Sequence, residues 1–370
     1  MKAYLFPGQG SQRVGMGEAL FDAFPDLTAA ADRILGYSIK ELCLRDPQRQ
    51  LSLTQYTQPA LYVVNALTQR RRQQETGERP DFVAGHSLGE YNALEYAGVM
   101  SFEDGLKLVR KRGELMGAAP KGAMAAIIGV SADKVSDILA ANGLSTIDVA
   151  NYNAPAQTVI SGLEADVRDA QACFEKEQAM YIPLNVTSAF HSRYMLPARE
   201  AFGAFLRGFT FAAPSVAVIA NTTAQPYRPG EVARNLEEQL AQSVRWLDSM
   251  HFLLQQGVTD FVELGPGDVL TKLIKGIRSQ FKPDAAPKRA AEPPPAQAPR
   301  QSSADPQQRV ADWNRSYPVG TVVKVKGYSQ PLTTKTQAVV LFGHRAAVYM
   351  QGYNGYFALD DVEPAVSAAA

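Results

Sequence analysis

The sequence predicts an α/β protein with a parallel-sheet core, a smaller inserted sheet domain and a separate all-β module near the C-terminal end. Three observations carry that expectation. A short apolar run, Phe82-Val83-Ala84, breaks at Gly85-His86-Ser87-Leu88-Gly89 and continues into a helical stretch over residues 90–97. Residues 122–186 alternate in the order β-α-β-β-α-β. From 282 to 306 the composition shifts to Ala, Pro, Gln and Arg, and short β runs follow.

The 370 residues suffice for one large domain or two. Equal numbers of basic and acidic side chains, 37 of each, leave no global field that would draw the chain to nucleic acid or a bilayer. No run approaches the ~20 apolar residues of a membrane span. The apolar start Ala3-Tyr4-Leu5-Phe6 stops at Pro7-Gly8, too short for a signal-peptide core. Cys43 and Cys173 fall in no C-x-x-C or metal-ligand spacing, so a reducing cytoplasm and no metal site are expected. Only four histidines, His86, His191, His251 and His344, are on hand to serve a serine nucleophile as base.

Taken in order, residues 3–6 are a strand leading into Pro7-Gly8-Gln9-Gly10-Ser11-Gln12. That loop matches neither G-x-G-x-x-G nor a P-loop, leaving a glycine turn that carries the amide side chain of Gln9. Residues 26–44 and 58–76 have helical periodicity, the second with Leu61, Val64, Leu67 and Thr68 inward and Arg70-Arg71-Arg72 at a solvated end. In the G-x-S-x-G turn that follows, glycines would permit the strained backbone of a nucleophile elbow. It would project the Ser87 hydroxyl and aim the Leu88 amide at the same point. The alternative is a glycine-rich strand–helix turn with a buried serine.

Residues 101–116 read as a helix capped by Ser101, with Glu103 and Asp104 in its first turn. At about 100° per residue, Phe102, Leu106, Leu108, Val109, Leu115 and Met116 share one half of the wheel, and Arg112 is the only charge among them. A buried guanidinium needs a partner. It is a structural ion pair, a snorkelling side chain, or a waiting clamp for a carboxylate.

Strands at 123–130, 147–151, 158–161 and 181–186, with helices at 132–141 and 165–178, form the ferredoxin-like order as an insert spanning about 122–187. His191 leaves that insert where it meets the core, a position that can overhang the elbow. His86 leaves the turn in another direction, His251 sits in a helical stretch and His344 lies beyond the Pro-rich segment. Residues 216–221 are a strand, 231–250 helical, 261–264 a strand and 269–277 a last helix. Residues 1–281 thus form one domain, 282–308 an Ala/Pro-rich linker, and 309–365 a small SH3-like β module with an Asn354-Gly355 hairpin signal.

By this point eight stretches resemble a known family in order: FPGQGSQ (6–12), TQPAL (57–61), GHSLGEYNAL (85–94), KRGELM (111–116), NAPAQTVISG (153–162), AFHSRYM (189–195), QLAQSVRW (239–246) and ELGPGDVL (263–270). They are similar to the malonyl-CoA:acyl carrier protein transacylases, in particular the free-standing acyltransferases that serve polyketide synthases in trans. The resemblance covers roughly the first 280 residues. It implies an α/β-hydrolase-like core and transfer of malonyl from coenzyme A to the phosphopantetheine thiol of an acyl carrier protein, without metal or organic cofactor. It implies Ser87 as nucleophile, His191 as base, and the main-chain carbonyl of Gln239 orienting the histidine. Gln9 and the Leu88 amide become the oxyanion hole, and Arg112 the partner of the malonyl carboxylate. Phe190 is the residue type associated with malonyl over methylmalonyl, and Gln58 lines the pocket. Ser188 departs from the Gly or His usual in malonyl-specific members.

Two other readings belong beside it. The same fold supports an acyl hydrolase that strips stalled groups from carrier proteins, although a buried carboxylate clamp is of little use to one. The C-terminal module could dock a synthase or carrier, and Lys272, Lys275 and Arg278 could meet an acidic carrier or simply form a solvated helix face.

Overall fold

The structure, a computed structural model, describes residues 1–282, 306–326, 330–341, 345–351 and 356–365. The chain divides into two compact units, Met1–Pro287 and Lys288–Ala370. The first unit begins β1 (Lys2–Phe6), α1 (Pro25–Leu35), α2 (Ile39–Leu44), α3 (Thr54–Thr76), β2 (Phe82–Gly85), α4 (Gly89–Tyr96) and α5 (Phe102–Gly117). It continues with β3 (Ala123–Ile128), α6 (Ala132–Ala141), β4 (Asp148–Ala154), β5 (Gln157–Gly162), α7 (Glu164–Lys176) and β6 (Met180–Pro183). It closes with α8 (Leu196–Leu206), β7 (Ala217–Ile219), α9 (Val232–Gln239), α10 (Trp246–Gln255), β8 (Asp260–Glu263) and α11 (Val269–Gln280).

The core sheet is parallel throughout, in the order β7-β2-β1-β8, with Phe6 level with Gly85 and Leu5 with Glu263. Its central strands are buried at nearly every position, as a sheet covered on both faces must be. Side-chain alternation sorts them into two cores. Tyr4, Phe6, Val83 and Val218 join Leu61, Leu94 and Leu106 of α3–α5. Ala3, Leu5, Phe82 and Ile219 meet Trp246, Met250 and Leu253 of α10 and Ile274 of α11. The parallel strands all end at the same edge, where ligands of such sheets collect.

The inserted sheet is antiparallel in the order β4-β5-β3-β6. One face, through Ala125, Ile127 and Ile160, packs on Val135 and Ile138 of α6 and Phe174 of α7. The other turns Met124, Ala126 and Val159 toward the main core.

Several expectations need correction. The helix expected over 26–44 is two, because Gly36 takes the left-handed conformation at φ 83° and closes α1. That over 231–250 is also two: between α9 and α10, Val244 pairs with β4, its amide donating to Ala150 O at 2.8 Å and its carbonyl accepting from Tyr152 N at 2.9 Å. The strand expected to reach Val186 ends at Pro183: Leu184 N still donates to Met124 O at 2.9 Å, and the chain then turns, Val186 N donating to Leu184 O at 2.9 Å. The helix expected from Gln58 begins at Thr54 and is buried all round from Thr57 to Leu67, not on one face.

In the second unit the segment expected as linker up to residue 308 is helical from Pro306. This helix, α12 (Pro306–Ser316), starts on a proline whose missing amide would be unpaired there anyway. Strands β9 (Val322–Val325), β10 (Leu332–Thr333), β11 (Val339–Leu341), β12 (Arg345–Tyr349), β13 (Tyr356–Ala358) and β14 (Val362–Pro364) follow. They form two antiparallel sheets, β10-β9-β14 and β11-β12-β13, bridged at Thr334 and Met350. Val323, Val325, Val348, Met350 and Val362 make the core, against which Val310 and Trp313 of α12 pack. The linker at 283–305, Asn354-Gly355 and His344 lie outside the described residues. No described helix is long and apolar enough to cross a membrane.

Candidate active site

Ser87 stands between β2 and α4 with φ at 52°, a conformation that costs an L-residue about 1–2 kcal/mol. The flanking glycines are there because nothing larger fits. A Cβ on Gly85 would lie 1.9 Å from the carbonyl carbon of Gly89, and one on Gly89 would lie 2.0 Å from Phe6 O. The turn is held from outside by Asn221, just beyond β7. Its Oδ1 accepts from the Ser87 amide at 2.7 Å, and its Nδ2 donates to Gly85 O at 2.7 Å.

His191 reaches the serine from the segment after the inserted sheet, itself in a left-handed conformation at φ 55°. Its Nε2 is 2.7 Å from Ser87 Oγ, and its Nδ1 is 2.8 Å from the carbonyl oxygen of Gln239. A carbonyl can only accept, so Nδ1 carries the proton and Nε2 is left to accept from the serine hydroxyl. That carbonyl is the last of α9, one of the orphans every helix leaves at its C-terminus. Burial, reinforced by the Arg112 charge, lowers the pKa of His191 to about 3 against the pull of the Gln239 carbonyl. The imidazole is therefore neutral at physiological pH.

Arg112, on α5, is 1% exposed. Its Nη2 donates to Ser87 Oγ at 3.0 Å and to Gln239 Oε1 at 2.9 Å, while its Nε finds no partner among the described residues. Among the described residues no carboxylate oxygen comes within 4.0 Å of it. The structural ion pair and the snorkelling side chain are both set aside. Gln239 binds the pieces together: its Nε2 donates to Ser87 O at 2.9 Å and to Glu90 Oε2. Glu90 is 1% exposed and accepts from Tyr227 OH at 2.7 Å and from the Asn221 amide at 3.1 Å. Burial outweighs these donors and pushes its carboxyl up to about 7.

Ser87, His191 and Arg112 open onto one cavity of about 410 Å³, lined also by Gln9, Gln58 and Phe190, roofed by Met124, Ala126 and Val159, and walled by Leu270 and Leu273 of α11. Gln58 is buried, its Nε2 3.4 Å from Met116 Sδ and its Oε1 without a partner among the described residues. Phe190 is buried beside the histidine. The side chain of Gln9 donates to Thr54 Oγ1 at 3.4 Å. The main-chain N–H groups of Gln9 and Leu88 donate to no described acceptor. His86 turns away from the serine, its Nε2 2.8 Å from Asn153 Oδ1 and its ring 5.4 Å from that of Trp246. His251 packs on Phe281 with ring centroids 5.6 Å apart. All eight site residues expected from the sequence are thus in one place. Asn221, Glu90 and Tyr227 are additions that sequence reasoning missed.

Comparison with known proteins gives the relatives of the chain. The acyl transferase domain family matches residues 3–297. The polyketide biosynthesis malonyl CoA-acyl carrier protein transacylase BaeC of Bacillus velezensis is 53% identical over 288 residues, covering 77% of this chain and all of that protein. Its counterpart PksC of Bacillus subtilis is 51% identical over 280 residues, 75% of this chain and 97% of that one. Among solved structures, a malonyl CoA-acyl carrier protein transacylase from Burkholderia pseudomallei superposes with a TM-score of 0.75 at 50% identity, over 76% of this chain and 99% of that one. A malonyl-transacylase in complex with a type II polyketide synthase acyl-carrier protein gives 0.72 at 36% identity, over 75% and 93%. The C-terminal quarter has no counterpart in BaeC, whose whole length is already matched. With the motifs, the fold and these likenesses agreeing, the chain belongs to the acyl transferase domain family, among its malonyl-CoA:acyl carrier protein transacylases.

Proposed function

We propose that the first unit moves a malonyl group from malonyl-CoA, through an ester on Ser87, to the phosphopantetheine thiol of an acyl carrier protein serving polyketide biosynthesis. The observation that carries the reading is Arg112: a guanidinium buried beside the serine oxygen, with no carboxylate of the described residues in ion-pair reach. Left so, it would cost several kcal/mol. A malonyl carboxylate supplies the missing anion and, bound two-pronged, fixes the thioester over Ser87.

His191 takes the hydroxyl proton as Ser87 Oγ attacks the thioester carbonyl, and the Gln239 carbonyl holds the imidazolium that forms. The amides of Leu88 and Gln9 receive the oxyanion. His191 then returns the proton to the departing coenzyme A sulfur. In the second half the carrier thiol gives its proton to His191 and attacks the malonyl ester, and His191 passes that proton to Ser87 Oγ as the ester bond breaks. Thioester becomes ester and thioester again with no change of oxidation state, so the chemistry calls for no cofactor. Phe190 crowds the α-carbon and Gln58 bounds the acyl pocket. Coenzyme A thioesters are cytoplasmic metabolites, and that is where the reaction would run.

The finer fold readings have support of the same kind. The elbow on a parallel sheet fits an α/β-hydrolase-like core, the order β4-β5-β3-β6 with two helices on one face fits a ferredoxin-like insert, and two small bridged sheets fit an SH3-like module. A hydrolase of simple acyl chains would have no use for Arg112. Incubation with labelled malonyl-CoA decides: label on holo carrier protein supports transfer, and free malonate with an unlabelled carrier would favour hydrolysis.

A further inference from the structure

Glu90 takes no part in the steps above, yet it is a buried carboxyl one side chain away from Arg112. One oxygen accepts from Tyr227 and the Asn221 amide, the other from Gln239. Gln239 is fully buried and has its amide fully committed. Both N–H bonds point at groups that only accept, Ser87 O and the Glu90 carboxylate, and its oxygen faces Arg112. With Glu90 ionised, carboxylate, amide and guanidinium follow one another, and the amide dipole is stabilised at both ends. A carboxylate in direct contact with Arg112 would occupy the guanidinium fork. One amide further back, it compensates the charge and leaves the fork open.

We propose that Glu90 is a positioning residue for acyl-group selection, its carboxylate acting through the Gln239 side chain to hold the Arg112 guanidinium aimed at an acyl carboxylate over Ser87. The inference rests on the malonyl-transfer reading and extends it to a residue that touches neither substrate nor reacting atoms. A purely structural Glu90, holding the elbow through Asn221 and Tyr227, would serve every acyl group alike. Relay through Gln239 serves only those with a carboxylate.

The test is E90Q. Its side-chain NH2 would meet Gln239 Nε2 donor to donor, so the amide must turn and Arg112 loses its acceptor. The readout is the ratio of kcat/KM for loading Ser87 from malonyl-CoA and from acetyl-CoA. It should fall by about tenfold or more, the scale of one charge-assisted hydrogen bond. In an R112A background the same change should leave the ratio where R112A put it. If E90Q does not fold, Q239M cuts the same link while keeping Glu90 and the main-chain carbonyl, and should lower the ratio equally. Equal losses for both thioesters in E90Q, or in Q239M where E90Q fails to fold, overturn the relay while the clamp reading stands. So does a ratio shift that persists without Arg112. A ratio unchanged by R112A alone would instead remove the clamp, and the relay with it.

Discussion

The Nδ1 of His191 lies 2.8 Å from the main-chain carbonyl of Gln239, the final residue of α9, so the place an aspartate holds in a Ser-His-Asp triad is taken here by a helix end. A carbonyl fixes the tautomer as an aspartate would but brings no negative charge, and the neighbouring charge is instead the positive Arg112. Burial and the Arg112 charge disfavour the imidazolium, and the carbonyl offsets them only in part.

That gives a pH prediction with a definite sign. Unfolded, His191 binds a proton below about 6.5, whereas folded it does so only near 3, so its contribution to stability grows as pH rises from about 3 to 6.5. Glu90, raised from 4.5 to about 7, pulls the other way over its own range, which makes the difference between variant and parent the useful quantity. Denaturant titration of H191Q and the parent should show the parent losing stability faster on acidification, by up to ~1.4 kcal/mol per pH unit. Parallel curves would contradict the neutral buried imidazole.

Removing the guanidinium should change which thioester is accepted. R112A is expected to lose about a hundredfold or more in kcat/KM for malonyl-CoA while retaining or gaining activity with acetyl-CoA, measured as loading of Ser87.

The strained elbow predicts an order of stabilities. S87A and S87G both lose the hydroxyl, but only alanine keeps a Cβ at φ 52°. S87G should be the more stable by about 1 kcal/mol in equilibrium unfolding, with both unable to load. G85A, by contrast, forces a methyl into the Gly89 carbonyl and should fail to fold at normal yield.

Asn221 acts on the turn and not on the acyl group. N221A should lower loading from malonyl-CoA and acetyl-CoA by the same factor, about ten- to a hundredfold. Unequal factors would place Asn221 in selection.

These residues differ in how legible they were. Ser87 could be read because two glycines mark the turn that exposes it, and Arg112 because one charge on an apolar helix face is a local anomaly. His191 stood out through the scarcity of histidines, while Gln239 came only through family likeness, since a main-chain carbonyl leaves no trace in a side-chain pattern. Glu90 was invisible because a glutamate in a first helical turn normally answers the helix dipole in solvent. Asn221 was invisible because only the return of β7 beside β2 brings it to the elbow. The break after Gln239 escaped for a related reason: helical periodicity runs on through 240–245, and only pairing with β4 pulls Val244 out of it. Helix α12 was missed because its first three residues, 306–308, fell in the segment read as linker and the rest in a module read as all-β; its apolar packing comes from Val310 and Trp313.

The central claim is that one hydroxyl carries a carboxylated acyl group between two thiols. Mass analysis of the protein after brief exposure to malonyl-CoA, followed by peptide mapping, tests it most directly. The account predicts the increment of a single malonyl group on the peptide containing Ser87, absent from S87A and removed on adding holo acyl carrier protein. An unmodified Ser87, or a malonyl group that S87A still acquires, would contradict it.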